Sequence, residues 1–229
     1  MTGASPRQLT FALEGSPRLS AEDYLVERSN APAHALVTSW PNWPSRAVLL
    51  YGQPGSGKSH LAAIWAEVAG ARIATAAQLR EADIAALPAG FQLAVEDIDS
   101  ADVHEEVLFH LLNTAREREG WLLLTSATEV TASWPRIRDL SSRLRAMPRA
   151  DLSAPGDELV RAVLVKLFDD RQLAVDVEVI DYVARRMERS IGSARRLVAE
   201  LDQEALALGR GITRPVAAAV LARLSIGED

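Results

Sequence analysis

The chain predicts an α/β fold with a parallel sheet, followed by a smaller all-helical part. Three observations carry that expectation: short apolar runs alternate with helix-period stretches up to about residue 154, the alternation then stops, and only helix-period segments follow. Residues 1–22 hold two Ser-Pro pairs and little periodicity apart from an apolar insert at 9–13, so a mobile N-terminal segment is expected there. The runs at 47–51, 72–75, 92–95, 121–125 and 146–152 are short, apolar or mixed, and bounded by Gly, Pro or polar residues, which is the signature of strands. Among the intervening helices the stretch 104–118 is clearest, because Val107, Leu108, Leu111, Leu112 and Ala115 fall on one stripe. Strand and helix in alternation make a parallel sheet, since each return needs a crossover. Beyond Ala154, Pro155 and Gly156 come helical segments at 157–170, 176–188, 193–208 and 213–224. In the third of these Ala194, Leu197, Val198, Leu201, Ala205 and Leu208 share a face, as in a small bundle. The expected division is therefore 1–22, 23–154 and 155–229.

Composition narrows the chemistry. With 229 residues, 48% hydrophobic and 24% charged, the chain has the balance of an ordinary globular protein. There is no cysteine, which excludes thiol catalysis, Cys-ligated zinc and iron–sulfur clusters. A net charge of −6 argues against a surface given over wholly to nucleic acid. The start lacks a secretory pattern and the longest apolar run, 215–222, is too short for a bilayer span, so a cytoplasmic protein with no membrane partner is expected.

One segment has a specific chemical meaning. Gly52, Gln53, Pro54, Gly55, Ser56, Gly57, Lys58 and Ser59 fit the spacing G-x-x-x-x-G-K-[ST], directly after the first strand and directly before a helical stretch at 61–68. Glycines there let successive backbone N–H groups curl around a phosphate, and the helix N-terminus adds its positive end. In such a loop the lysine, here Lys58, reaches the β and γ oxygens, and the hydroxyl, here Ser59, ligates Mg²⁺. The expected cofactors are ADP or ATP with Mg²⁺. His60 follows directly and packs or caps rather than catalyses.

A second polar cluster ends the third strand, where Leu93, Ala94 and Val95 lead into Glu96, Asp97, Ile98 and Asp99. Carboxylates at that point would hold the metal's water shell and orient an attacking water. Such pairs usually begin with aspartate. Glu96 displaces the first carboxylate by about one C–C bond, roughly 1.5 Å, which favours nucleotide and Mg²⁺ binding over efficient hydrolysis by the chain itself.

Taken together, these features resemble the AAA+ ATPases, and within them the replication initiator DnaA, over residues 20–225. The resemblance rests on Asn30 to His34 upstream of the first strand, the loop from Tyr51 to Leu61, Leu123 to Ser126, Ser142-Arg143-Leu144, and Ser193 to Leu197. It implies a P-loop AAA+ core with a helical lid subdomain. Thr125 or Ser126 would be the sensor-1 group near the γ-phosphate, Arg143 an arginine finger acting on a neighbour's nucleotide, and Arg195 the sensor-2 arginine reaching the phosphates. Tyr24 and Asn30 would lie beside the adenine.

The N-terminal Gln8, Leu9, Thr10, Phe11, Ala12 and Leu13 resemble the Q-L-x-[LF] peptide by which replication proteins dock on the DNA polymerase III sliding clamp, with Gln8 as polar anchor and Leu9, Phe11 and Leu13 as plugs. DnaA carries a helix-turn-helix domain after its lid, and no room for one is expected beyond Asp229, so sequence-specific DNA binding is not expected. The implied role is a DnaA-related regulator that sits on the clamp, stimulates ATP hydrolysis by DnaA and so restrains initiation. Head-to-tail contact between copies is part of the same expectation. The alternative is an autonomous AAA+ ATPase remodelling replication partners, such as a helicase loader, with Lys58 and Asp97 driving its own turnover. A small-molecule phosphotransferase fits less well, because an all-helical part carrying Arg195 follows the last strand.

Overall fold

A computed structural model describes residues 21–131 and 134–226. The described residues form two compact units that divide after Ala154.

The first unit opens with a 3-10 turn, Ala21–Asp23, and helix α1, Ala31–Thr38. Strand β1 (Ala47–Gly52), helix α2 (Lys58–Ala69), strand β2 (Arg72–Thr75), helix α3 (Glu81–Ala85), strand β3 (Gln92–Glu96), helix α4 (Glu105–Glu117), strand β4 (Trp121–Ser126), helix α5 (Arg138–Ala146) and strand β5 (Arg149–Leu152) follow. The strands make one parallel sheet in the order β2-β3-β4-β1-β5. Tyr51 pairs with Ser126 and Val95 with Leu124, so the C-terminal ends of β1, β3 and β4 finish side by side. In open parallel sheets that is the edge where ligands sit.

Apolar residues on both faces explain why the strands read as continuous hydrophobic runs rather than alternating ones. Val48, Leu50, Ala94 and Leu123 pack with Val37, Leu61, Ile64 and Trp65 on one face. Leu49, Leu93, Val95, Leu122 and Leu124 pack with Leu108, Leu111, Leu140 and Leu144 on the other. Each such valine, leucine or isoleucine contributes about 1.5–3 kcal/mol by leaving water. Helix α4 buries Leu108, Leu111, Leu112 and Ala115, which is the stripe legible at 104–118. Among these, Leu111 has no exposed surface, so Leu111→Ala would cost about 2–5 kcal/mol.

Several boundaries differ from expectation, each for a local reason. The strand expected at 146–152 begins only at Arg149, because Ala146 closes α5 and Pro148 has no N–H to give a ladder. Helix α2 starts at Lys58 rather than 61, since Gly57 at φ 104° turns the chain into it, and it ends where Gly70 adopts φ 65°. Ala21–Asp23 forms a turn across the expected limit of the N-terminal segment, while residues 1–20, with Gln8, Leu9, Phe11 and Leu13, lie outside the described residues.

The second unit is helical throughout its described residues: α6 (Asp157–Asp170), α7 (Val177–Ala184), α8 (Ile191–Leu208) and α9 (Arg214–Ile226). Its core joins Val160, Leu164, Phe168, Val183, Leu197, Leu201 and Val220. Helix α7 stops at Ala184, short of the expected 188, and α8 begins at Ile191, ahead of the expected 193. The early start follows from Ser190, whose hydroxyl accepts from the Ser193 N–H at 3.0 Å and caps the helix. Among the described residues no helix is long and apolar enough to cross a membrane.

Candidate nucleotide site

The loop after β1 is shaped by glycines that no other residue could replace without strain. A Cβ on Gly52 would stand 2.6 Å from the Leu152 carbonyl oxygen and 2.7 Å from Ser56 Oγ, closer than real contacts allow. Gly55 and Gly57 adopt φ of 73° and 104°, conformations open mainly to glycine. Backbone that alternates its handedness in this way makes a concave nest of amides, which attracts anions. The nest leads straight into α2, whose N-terminus adds partial positive charge.

Lys58 is buried and curls back over the loop, its Nζ donating to the carbonyls of Gly52 at 2.6 Å and Gln53 at 3.1 Å. Burial pushes its ammonium below the ordinary lysine value, against the pull of Asp97, Asp99 and Glu96. Ser56 Oγ is buried without a hydrogen-bond partner. Ser59, in the first turn of α2, is exposed, while Gln53 and Pro54 form the exposed rim. His60 is buried and meets the Tyr24 ring edge-on at 5.1 Å. Tyr24 also stacks on His34 at 5.6 Å, and a Cβ on Gly57 would lie 3.6 Å from its ring, which places the phenol against the loop. The Tyr24 hydroxyl is buried without a partner, and burial pushes its ionisation above the ordinary tyrosine value.

Asn30, expected beside the adenine, donates from Nδ2 to Leu25 O at 2.9 Å and accepts at Oδ1 from the Glu27 N–H at 2.8 Å, so its amide shapes the 25–30 turn that follows Tyr24.

The strand-end acids sit at the adjacent sheet edge. Glu96 is half-buried, with Oε1 hidden and without a hydrogen-bond partner. Asp97 is exposed and adopts φ 56°, a left-handed conformation that aspartate tolerates better than most residues. Its N–H donates to Thr125 Oγ1 at 3.0 Å, tying β3 to β4 and leaving the Thr125 hydroxyl proton still available to donate. Ser126 is committed locally, donating to Thr128 O at 2.7 Å.

Asp99 is the residue that motif reading passed over. Its carboxylate accepts from the Ala127 N–H at 3.1 Å and the Thr128 N–H at 2.6 Å, gripping the segment that leaves β4. Burial alone would raise its ionisation, but hydrogen bonds from Thr128, Ala127 and its own backbone outweigh that and hold the carboxyl below the usual aspartate value. The signal available in sequence was only its place two residues after Asp97.

Among the described residues no three His, Asp or Glu side chains gather as a protein-only cage for a metal. A cation shared between phosphates and one serine hydroxyl needs no such cage. The two guanidinium groups singled out from sequence lie apart from the loop in the chain. Arg143 is on α5 and donates from Nη1 to Asn113 Oδ1 at 2.6 Å. Arg195 is on α8 in the second unit, one position before Arg196, whose Nη2 lies 3.4 Å from Ser193 Oγ.

No protein-family model matches the chain, and no curated protein does. Solved structures do. Domain III of the Thermotoga maritima replication initiation protein DnaA superposes with a TM-score of 0.74 at 17% identity, over 90% of this chain and 97% of that one. The Thermotoga maritima RuvB Holliday junction branch migration motor gives a TM-score of 0.70 at 17% identity, over 90% and 72%. A replication initiator DnaA bound to AMPPCP and single-stranded DNA gives 0.65 at 18% identity, over 80% and 64%. The chain thus has the AAA+ P-loop fold of DnaA and RuvB, a five-stranded parallel sheet with helical segments after it.

Proposed function

We propose that the chain binds an adenine nucleotide, ADP or ATP with Mg²⁺, and acts as a DnaA-related regulator of the Hda type, which docks on the sliding clamp and stimulates ATP hydrolysis by DnaA. The observation that carries the first step is the incomplete polar set around the loop. Lys58 rests on backbone carbonyls, Ser56 Oγ and the Tyr24 hydroxyl are buried without partners, and Gly55 and Gly57 hold their amides in a nest. Buried polar atoms without partners are costly, and an incoming phosphate or nucleoside supplies them. The residues therefore fit a nucleotide.

In the bound state Gly55 to Ser59 would hold the phosphates, Lys58 would exchange two carbonyls for phosphate oxygens, and Tyr24 would stand at the nucleoside end. Ser59 would ligate Mg²⁺, with Glu96 and Asp97 acting through its water shell. Bound Mg²⁺ neutralises phosphate charge. Thr125 would hold the strand ends in register with its free proton available, and Arg195 is the sensor-2 candidate that the likeness to DnaA supplies. The likeness to a DnaA that holds AMPPCP supports an adenine nucleotide.

The regulatory part of the reading is supported by the fold shared with DnaA domain III, by the Gln8, Leu9, Phe11 and Leu13 peptide, and by Glu96 standing where an aspartate is usual. A weak hydrolase can still activate one elsewhere by lending Arg143 to its transition state. The likeness to RuvB favours a second reading, an autonomous ATPase that remodels partners.

Titration calorimetry with ADP and Mg²⁺ tests the first step: no heat of binding overturns it. Hydrolysis by ATP-loaded DnaA, measured with clamp on DNA, tests the second. Stimulation by the wild type that is lost in Arg143→Ala supports the regulator, and no stimulation by either removes it. Turnover by the chain alone, abolished by Asp97→Asn, establishes the remodelling ATPase instead.

A further inference from the structure

Many arginines of the fold find carboxylates, while Arg80, Arg118, Arg145 and Arg186 donate to backbone carbonyls of their own surroundings. Arg149 pairs with Glu129 and Asp151, Arg161 with Asp181, Arg171 with Asp202, and Arg223 with Glu200 and Glu204. Arg143 is held by neither a carboxylate nor a backbone carbonyl but by a side-chain amide. Its Nη1 donates to Asn113 Oδ1 at 2.6 Å, and its Cζ lies 4.8 Å from the centroid of the Phe109 ring. Both anchors are neutral, both belong to α4, and no carboxylate among the described residues pairs with this guanidinium.

The physical consequence is specific. An amide acceptor fixes the plane of a guanidinium without cancelling its charge, and an aromatic face attracts the cation without a counterion. A carboxylate in place of Asn113 would orient the group equally well but neutralise it. Nε and Nη2 make no hydrogen bond within the described residues, which leaves donors for an oxyanion from outside. The helix beneath is also fixed from α4. Glu105 accepts from the Arg136 N–H at 3.0 Å and the Ile137 N–H at 2.9 Å, immediately before α5 begins. One helix therefore sets both where α5 starts and where its arginine ends.

We propose that Asn113 is the positioning residue for Arg143, holding it as an uncompensated cation for a phosphate oxygen of a nucleotide bound by another subunit or partner. The inference rests on the trans-acting reading of Arg143 given above and adds what keeps that cation charged and in place. Phe109 supports the same placement, its ring lying 4.8 Å from the guanidinium carbon.

The test uses the full chain, ATP-loaded DnaA and clamp on DNA, with stimulated hydrolysis followed against concentration of this chain. Asn113→Ala should lower the maximal stimulated rate about tenfold, because a small misplacement of a charge-stabilising group is costly. The half-saturating concentration, the affinity for ADP and the thermal midpoint should stay near the wild type, which a merely structural role would not allow. Asn113→Asp should lower the maximal rate as well, since it keeps the hydrogen bond and cancels the charge. Full maximal rate in both variants, with activity lost in Arg143→Ala, overturns the proposal and leaves the trans-acting reading standing. Full rate in Arg143→Ala removes both. Should Asn113→Ala melt below the assay temperature, the maximal rate of Asn113→Asp decides.

Discussion

The edge where β1 and β3 end and the four-helix unit use polar atoms in opposite ways. In the helical unit charges meet charges at the surface: Arg161 with Asp181, Lys166 with Asp170, Arg189 with Asp157, and Arg223 with two glutamates. Its interior is apolar and mostly aliphatic, with Leu164, Val183, Val198 and Leu201 fully buried beside Phe168. At the sheet edge the reverse holds. Lys58 is 7% exposed and leans on carbonyls, while Ser56 Oγ, Glu96 Oε1 and the Tyr24 hydroxyl are buried without partners. A scaffold satisfies its polar groups internally, whereas a binding site leaves some to be satisfied by what it binds. The sheet edge carries such an open polar set, and the paired surface charges of the helical unit do not.

The largest expected effect tests that difference directly. Lys58→Met keeps the apolar stem and removes the ammonium. Affinity for ADP with Mg²⁺, read by calorimetry, should fall at least about a hundredfold, or about 2.7 kcal/mol. Stability without nucleotide should not fall with it. Burial lowers the ionisation of Lys58, so the folded chain binds that proton less readily than the unfolded one, and the charged group costs stability at neutral pH. That cost eases as pH rises from the folded value toward 10.5, the ordinary value. Lys58→Met removes the cost along with the two carbonyl bonds, so its urea midpoint should match or exceed the wild type. A variant that unfolds far more easily while still binding ADP would place Lys58 with the scaffold.

Asp99 gives a smaller effect of opposite sign. Its folded ionisation lies below the ordinary aspartate value, so it contributes stability fully present above 3.8 and lost as pH falls through the folded value. Replacing it by alanine removes the charged acceptor of the Ala127 and Thr128 amides, of which Thr128 keeps Ser126 Oγ at 3.2 Å, at a cost of about 2 kcal/mol. Urea melts should show that gap at neutral pH and a narrower one in acid, below the folded value. A gap of equal size in both would mean that the carboxylate charge plays no part.

How much of this was legible beforehand follows from the range over which each feature acts. The loop from Gly52 to Ser59, the stripe on α4 and the acids after Val95 are set by residues adjacent in sequence or one helical turn apart, and the periodicity exposes them. The grip of Asp99 on Ala127, of Glu105 on Ile137 and of Asn113 on Arg143 each spans about thirty residues, and nothing in the local pattern of either partner announces it. Asn30 shows the short-range case, its amide bonded three and five residues away to shape the turn after Tyr24. The late start of β5 was hidden because Met147 and Pro148 continue an apolar run while the helix before them is still ending.

The smallest effect belongs to the scaffold. Arg223 on α9 reaches Glu204 at 2.8 Å and Glu200 at 3.4 Å, yet its side chain remains 52% exposed. Water screens that attraction and the long side chain loses freedom in making it, so Arg223→Ala should cost about 0.5 kcal/mol or less in a urea melt. The cost should shrink further in about 1 M salt, where the Debye length falls to about 3 Å. Nucleotide affinity should not change. The same guanidinium chemistry is thus expected to matter little on α9, where two carboxylates and solvent already satisfy it, and a great deal at Arg143, where neutral anchors leave the charge open. A loss above about 2 kcal/mol at Arg223 would mean that charge pairing, rather than the apolar interior, holds the helical unit together.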